Sequence, residues 1–320
     1  MDILKDFECC PPVGGQNSKL LYLRSMIVKT SLSRSASIWL SLFIYVLAIF
    51  SAILTARIFS HFHPLVMIGA ADLTATLVVF IFSLALNNSS AYDPYWSVKP
   101  LVIAIAYIFI FSLESLNVRQ WLVISGVLLY ALRLTTNFYR DWPGFSHEDW
   151  RYVGFRKKFG KAYWLISFLA IHLFPTIMVY LGCMALLPVF SGEGNALNGW
   201  DMFAAVVLFG SVLYAFIADE QLRGFRKKPV NKGKIITTGL WNFSRHPNYF
   251  GEISTWWGLS LFAIAAGFEY WWTIAGPLAI TVMFLFASIP MIEKRHLQKR
   301  QGYRDYIAST PMMLPVKFRK

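Results

Sequence analysis

The chain has 320 residues, of which 56% are hydrophobic and only 15% are charged, and its net charge is +13. A soluble domain of this length would carry about 25% charged residues, and the apolar residues here form long runs, so the composition excludes an ordinary soluble protein and indicates an integral membrane protein. Because the basic residues lie between the apolar runs, they are better explained by membrane topology than by nucleic-acid binding.

Eight apolar stretches follow a polar N-terminal arm at 1–37. Each is long enough to cross a bilayer as a helix, which takes about 20 residues. The sequence therefore predicts an all-α, polytopic membrane helix bundle with about eight transmembrane helices, or with seven or nine if a weak span is re-entrant. The predicted spans are 38–58, 65–86, 100–117, 120–138, 163–189, 201–218, 250–267 and 271–291.

The basic residues favour eight spans. With eight spans, all but three of the 30 lysine and arginine residues lie on one side of the membrane, in the N-terminal arm, the loops of that side and the C-terminal tail. The exceptions are Arg57 and Arg119 on the other side, and Arg133 inside the fourth span. The positive-inside rule then predicts that both termini are cytosolic. The endoplasmic reticulum of a eukaryote and the inner membrane of a bacterium fit this pattern equally.

The three cysteines give no sign of a metal site. Cys9, Cys10 and Cys183 have neither metal-ligand spacing nor the pattern of a disulfide framework. Cys9 and Cys10 lie in the N-terminal arm, where they are either free thiols or sites of acylation. We therefore expect no bound metal.

The basic segment after the sixth span combines charge with helical spacing. Asp219, Arg223 and Arg226 recur at intervals of four and three, so they share one face if the helix continues out of the membrane. With the lysines that follow, Arg226 forms a basic cluster that suits a phosphate-bearing molecule. Anionic lipid headgroups fit the same cluster, and charge alone does not separate the two.

A polar stretch, SRHPNYFGE at 244–252, opens the seventh span. Pro247 is favoured in the first turn of a helix, so the span is predicted to begin near it. Asn248, Tyr249 and Glu252 then lie in the first two turns, where an apolar span has no use for them. Buried there, they must pair with one another or with a ligand.

The tail after the last span carries a second group of polar residues. Glu293 and His296 precede Tyr303 in a stretch whose periodicity predicts a short amphipathic helix. An interfacial basic helix would account for the lysines of this stretch but not for its tyrosines.

These motifs resemble the C-terminal domain of the steroid 5-alpha-reductase superfamily, which also includes sterol reductases. YDPYWSVKP at 92–100 and NFYRDWPGFSHEDWRY at 137–152 resemble an uncharacterised branch of membrane oxidoreductases in that superfamily. Isoprenylcysteine and phospholipid methyltransferases are more distant relatives that share an element like RHP-x-Y-x-G. The C-terminal motifs that carry the resemblance are ADEQLRGFRKKP, GLWNFSRHPNYFGEISTWWG and IEKRHLQKRQGYRDYIASTPMMLP.

The resemblance implies a membrane-embedded reductase that uses NADPH to transfer a hydride to an activated C=C bond of a steroid-like or other lipid. It implies a cofactor-binding region at 201–320 and a substrate side at 38–200. No G-x-G-x-x-G motif follows a predicted strand, so helices and loops would have to hold the cofactor. The cofactor-binding residues that the resemblance implies are Asp219, Arg223 and Arg226 at the adenosine and phosphate end, Asn248 and Glu252 at the nicotinamide end, Tyr249 nearby, and Glu293, His296 and Tyr303 from the tail.

The reaction that the resemblance implies also needs a proton donor. Hydride addition to an enone leaves an enolate, whose oxygen needs an acid or a hydrogen-bond donor. Tyr92 and Tyr95 are the predicted donors, with an aromatic belt at the membrane interface as the alternative, and Glu252 is the third candidate catalytic residue. Arg133, a costly cation inside a span, either reaches a cofactor phosphate or snorkels to the interface. Asp72 is either a substrate-side group or a partner of hydroxyl groups on a neighbouring helix.

Two other functions remain open. A membrane methyltransferase that uses S-adenosylmethionine fits the SRHPNYFGE stretch, although such enzymes typically carry paired glutamates where this chain has Glu293 and Lys294. A lipid-binding scaffold without catalysis would also keep the fold. In each case the expected partners are lipids, and the sequence predicts no oligomeric state.

Overall fold

The computed structural model describes residues 32–192 and 196–315, and every regular element in these residues is helical. The predicted all-α bundle is therefore confirmed for this part of the chain. Most of the N-terminal arm, with Cys9 and Cys10, lies outside the described residues.

The helices are numbered here in chain order. They are α1 (Arg34–Ile58), α2 (Pro64–Ala85), α3 (Tyr95–Ile110), α4 (Val118–Asp141), α5 (Trp150–Phe159), α6 (Tyr163–Ile166), α7 (Phe174–Cys183), α8 (Leu186–Phe190), α9 (Gly199–Arg226), α10 (Pro247–Ala266), α11 (Ala275–Met283), α12 (Ile289–Lys299) and α13 (Tyr303–Ser309). Short π-helical segments, Ser167–Leu173 and Phe284–Ser288, join α6 to α7 and α11 to α12, so each pair runs on as one long helix.

Seven helical stretches of the described residues are long and apolar enough to cross a membrane. They correspond to seven of the eight predicted spans, which confirms a multi-pass membrane protein. The other predicted span, 250–267, coincides with α10, a helix of 20 residues, most of them buried in the bundle. Because α10 contacts protein over most of its surface, it can carry polar residues such as Glu252 that a lipid-facing span excludes.

The fifth span begins earlier than its apolar run. It is predicted at 163–189, whereas the helical stretch covers Trp150–Cys183. The first helix of this stretch, α5, is polar and basic, and the Asp149 side chain caps it by accepting a hydrogen bond from the Arg151 backbone N–H (2.9 Å). The apolar run in the sequence therefore marks only the apolar part of this helical stretch and misses its polar first helix, α5.

Glycines let α9 and α10 pack in close contact. A Cβ atom on Gly251 would lie 2.7 Å from the Cβ of Ala215, and one on Gly258 would lie 2.9 Å from the Cα of Leu208. Small residues allow this approach of two helix backbones, which is typical of membrane proteins. The contact places the first turn of α10 against the last turns of α9.

An ion pair far from these turns joins the N-terminal ends of α4 and α9. The Arg119 guanidinium at the start of α4 lies 2.6 Å from the Asp201 carboxylate at the start of α9. The two helices therefore run in the same direction, and their C-terminal ends lie together. The start of α10 and the end of α12 join them there, and we call this side of the bundle the pocket end.

Candidate functional site

A polar pocket with a volume of about 560 Å³ occupies the pocket end. Its walls come from the last turns of α4, α9 and α12, the first turn of α10, the loop between α9 and α10, and the tail from Arg300 to Tyr306. Most of the predicted cofactor-binding residues line it, although they come from distant parts of the sequence. These are Asp219, Arg223, Arg226, Asn248, Tyr249, His296 and Tyr303.

Four polar side chains form the floor of the pocket. The Asp219 carboxylate accepts a hydrogen bond from the Asn137 amide (2.8 Å) and another from the Asn248 amide (3.2 Å). Arg223 donates to the Asn137 oxygen (2.9 Å). Amide and carboxylate groups at this position match the donors and acceptors of a carboxamide or an adenine ring. Asn137 was not among the predicted site residues.

Glu252 and Arg133 lie beneath this floor and do not line the pocket. Glu252 is 3% exposed. Its two carboxylate oxygens accept hydrogen bonds from the Tyr130 hydroxyl and from Arg133 Nη2, both at 2.6 Å. Arg133 Nε also lies 3.5 Å from the Asp219 carboxylate. The structure thus brings Glu252 and Arg133 together as an ion pair beneath the floor, and their contacts with a nicotinamide and with a phosphate stay predictions.

Glu293 also lies outside the pocket lining. Its Oε1 accepts hydrogen bonds from Arg245 Nε (2.8 Å) and His246 Nε2 (2.9 Å). Arg245 donates further to the backbone oxygen of Thr310 (2.7 Å). Glu293 thus orients two residues that do line the pocket, neither of which is among the predicted site residues.

The tail closes one side of the pocket. Gly302 has the left-handed conformation (φ 77°) that turns the chain from α12 into α13. The Tyr306 hydroxyl donates to the backbone oxygen of Trp241 (2.5 Å), which fixes α13 on the loop between α9 and α10. Burial, reinforced by Glu293, raises the pKa of Tyr303 to about 12, so this phenol stays neutral at physiological pH.

The pocket is cationic. Five basic side chains line it against two acidic ones. Burial and the nearby Arg226 charge lower the pKa of Arg300, which shows that like charges face each other at this side of the pocket. Such an arrangement favours an anionic ligand held by charge-assisted hydrogen bonds. The basic residues are Arg223, Arg226, Lys227, Arg245 and Arg300, and the acidic ones are Asp141 and Asp219.

Tyr92 and Tyr95 belong to a separate buried cluster between α2, α3 and α7. Lys99 Nζ lies 2.7 Å from the Asp72 carboxylate, and both side chains are almost fully buried. The Tyr95 hydroxyl donates to Asp72 at 3.5 Å, a long hydrogen bond, whereas the Tyr92 hydroxyl lies 2.8 Å from the hydroxyl of Thr176. Neither tyrosine lines the pocket.

Asp72 and Lys99 are the residues of this cluster whose burial costs the most free energy. An ion pair in the apolar interior of a membrane protein marks functional sites by default. Asp72 is a predicted candidate, whereas its partner Lys99 is not, although Lys99 stands in the YDPYWSVKP motif. The main partner of Asp72 is thus a cation, rather than the hydroxyl groups that were one of its two expected environments.

Comparison with known proteins gives a family and one relative without an assigned function. The Schizosaccharomyces pombe protein named "Uncharacterized protein C594.04c" is 27% identical over 244 residues, which cover 69% of this chain and 70% of the relative. No solved structure matches the chain. The family model described as "Protein of unknown function (DUF1295)" matches residues 79–310, which span the pocket and the members of the buried cluster other than Asp72, and the chain belongs to that family.

Proposed function

We propose that the chain is a membrane-embedded, NADPH-dependent reductase that transfers a hydride to an activated C=C bond of a steroid-like or other lipid. The observation that carries this proposal is the cationic pocket with its amide and carboxylate floor. Its volume of about 560 Å³ lies within the range of about 300–1,000 Å³ that is usual for small-molecule sites.

The two ends of the pocket suit the two ends of a dinucleotide. Arg226 and Arg300 would hold phosphate groups, because their facing charges have no acidic partner within ion-pair distance in the described residues. Asn248 and Asp219 would hold a carboxamide, since together they offer a donor and an acceptor. When bound, NADPH supplies the hydride.

Tyr95 is the better supported of the two proposed proton donors. Addition of a hydride to the β-carbon of an enone places negative charge on the carbonyl oxygen, and a neutral phenol can donate to it. The hydrogen bond from Tyr95 to Asp72 is long, so its proton can be redirected, whereas the Tyr92 hydroxyl is held at 2.8 Å by Thr176. Asp72, held 2.7 Å from Lys99 Nζ, accepts the hydrogen bond of Tyr95 and so would orient this hydroxyl in the absence of substrate.

Glu252 is proposed to act through other residues. Its carboxylate is fully engaged by Tyr130 and Arg133, so it supports the floor of the pocket and does not exchange protons with the substrate. This replaces the expectation of a direct catalytic role. The pocket residue that depends most directly on it is Asp219, because Arg133 lies between the two carboxylates.

Thermal stabilisation of the detergent-purified protein tests the proposal. NADPH should raise the unfolding temperature more than NADH does, and S-adenosylmethionine should have no effect. Stabilisation by S-adenosylmethionine alone would identify a methyltransferase instead. No stabilisation by any of the three ligands would favour the non-catalytic lipid-binding scaffold.

A further inference from the structure

Three lysines surround a bend between α5 and α6. Gly160 follows α5 with a φ of 50°, in the left-handed region that breaks a helix, and α6 begins three residues later. Lys157 and Lys158 precede this glycine, and Lys161 follows it. We propose that this group of four residues, called here the lysine bend, binds the headgroup of an anionic phospholipid in the leaflet on the pocket side.

The charges of these lysines are not compensated within the protein. The two arginines of α5 are paired, since Arg156 lies 2.7 Å from Glu148 and Arg151 lies 2.7 Å from Asp149. The three lysines are exposed, and none of them forms an ion pair within the part of the chain that the structure describes. No Asp or Glu occurs in the sequence between residues 150 and 192. The lysine bend therefore complements a negative charge from outside the chain.

The lysine bend lies at the level of phospholipid headgroups. The spanning stretch to which α5 belongs follows the C-terminal end of α4, so α5 lies on the pocket side. Leu165 and Leu169, beyond the bend, are 62% and 45% exposed and face hydrocarbon in a membrane. Lys161 precedes Leu165 by four residues, or about 6 Å of helix. The headgroup region of one leaflet is about 5–8 Å deep, so Lys161 reaches the phosphates.

Packing across Gly160 holds the lysine bend in one shape. The Arg156 guanidinium, on α5, lies 3.9 Å from the centre of the Tyr163 ring and 4.7 Å from the centre of the Trp164 ring, both on α6. These cation–π contacts join the two helices on either side of the glycine. The backbone that carries the lysines is thus ordered before a ligand arrives, which lowers the entropy lost on binding.

A bound headgroup would also support the buried cluster. Arg156 donates to the backbone oxygen of Asn87 (3.0 Å), and its partner Glu148 accepts a hydrogen bond from the Ser89 backbone N–H (2.9 Å). These contacts fix α5 on the short helical segment that carries Tyr92. A lipid that holds the lysine bend would hold this segment with it. The inference goes beyond the proposed reductase, because it requires neither NADPH nor a reaction.

The test is lipid retention by the full chain. The protein is reconstituted in nanodiscs of equal parts phosphatidylcholine and phosphatidylglycerol, extracted into mild detergent, and examined by native mass spectrometry. The wild type should retain phosphatidylglycerol in preference to phosphatidylcholine. Combined substitution Lys157→Gln, Lys158→Gln and Lys161→Gln should lower this preference tenfold or more, since one lysine near a membrane surface contributes about fivefold. Combined substitution of the same three lysines by arginine should preserve it.

A second triple variant is the matched control. Lys228→Gln, Lys232→Gln and Lys234→Gln together remove the same charge from exposed positions between α9 and α10, none of which lines the pocket. This variant should retain phosphatidylglycerol as the wild type does.

Three outcomes would overturn the proposal. The first is equal retention of the two phospholipids by the wild type, and the second is an equal loss in both glutamine triples, which would show a response to net charge alone. The third is binding of soluble polyglutamate without a preference for phosphatidylglycerol, which would assign the lysine bend to an acidic protein partner. Loss of NADPH binding with the lipid preference intact would count against the reductase only.

Discussion

Arg133 and Glu252 form an ion pair, 2.6 Å from Nη2 to Oε2, that is closed off from solvent directly beneath the pocket floor. They are 119 residues apart in sequence and lie on α4 and α10. Each neutralises the other in a region where an isolated charge is expensive. The pair therefore sets the distance between two helices that both contribute to the floor.

Removal of either partner should destabilise the protein strongly. Glu252→Gln and Arg133→Met should each lower the free energy of unfolding by about 3 kcal/mol or more, because a buried charge loses its partner. The double variant should lose much less than the sum of the two. Denaturant unfolding in detergent, followed by tryptophan fluorescence, measures this cycle, and strictly additive losses would show that the two residues are not coupled.

Asn248→Ala should weaken NADPH binding about tenfold, because one hydrogen bond in a charged network is lost. The unfolding temperature without ligand should change little, since Asn248 is partly exposed in the pocket. Fluorescence titration with NADPH gives the dissociation constant. Asn231→Ala is the matched control, because Asn231 lies in the loop that leads to α10, donates to the backbone oxygen of Phe225, and does not line the pocket. Equal affinities in both variants would refute the placement of the carboxamide at the floor.

Arg226→Gln and Arg300→Gln should reduce the preference for NADPH over NADH. Each removes one charge-assisted hydrogen bond to phosphate, so NADPH affinity should fall about tenfold while NADH affinity falls less. Affinity of the wild type for NADPH should also decrease with added salt. Competition titrations at two salt concentrations measure both effects, with Lys158→Gln as the control for a change in net charge. Parallel losses for the two nucleotides would place the extra phosphate elsewhere.

Tyr95→Phe should abolish turnover without affecting cofactor binding. Loss of a proton donor costs about 10²-fold or more in rate, whereas NADPH binding depends on a pocket that Tyr95 does not line. Oxidation of NADPH in the presence of extracted membrane lipids is the measurement. Tyr92→Phe, the control, should retain most of the wild-type rate. The opposite ranking of the two variants would transfer the role to Tyr92.

Local patterns in the sequence predicted the helices of the site well. Helix α10 begins at Pro247, as the position of a proline in a first turn indicates. Asp219, Arg223 and Arg226 do face one cavity, as their helical spacing predicted. These successes depend on residues close together in the chain, where spacing determines which side chains share a face.

Pairings between distant residues could not be read in the same way. Glu252 is expected at the nicotinamide end because the sequence resemblance implies it, and its position in α10 says only that it must pair with a neighbour or a ligand. Its partners Tyr130 and Arg133 are 122 and 119 residues away, so no local spacing reveals that both oxygens are occupied. One signal was present in hindsight, because Tyr130, Arg133 and Asn137 follow helical spacing and so form a polar stripe in an apolar span.

The most direct measurement is a cryo-electron microscopy map of the protein purified with NADPH. We expect density for the dinucleotide in the pocket, with its carboxamide end at Asn248 and Asp219 and its phosphates at Arg226 and Arg300. An empty pocket at saturating NADPH, or density for the nucleotide at any other place on the protein, would contradict it.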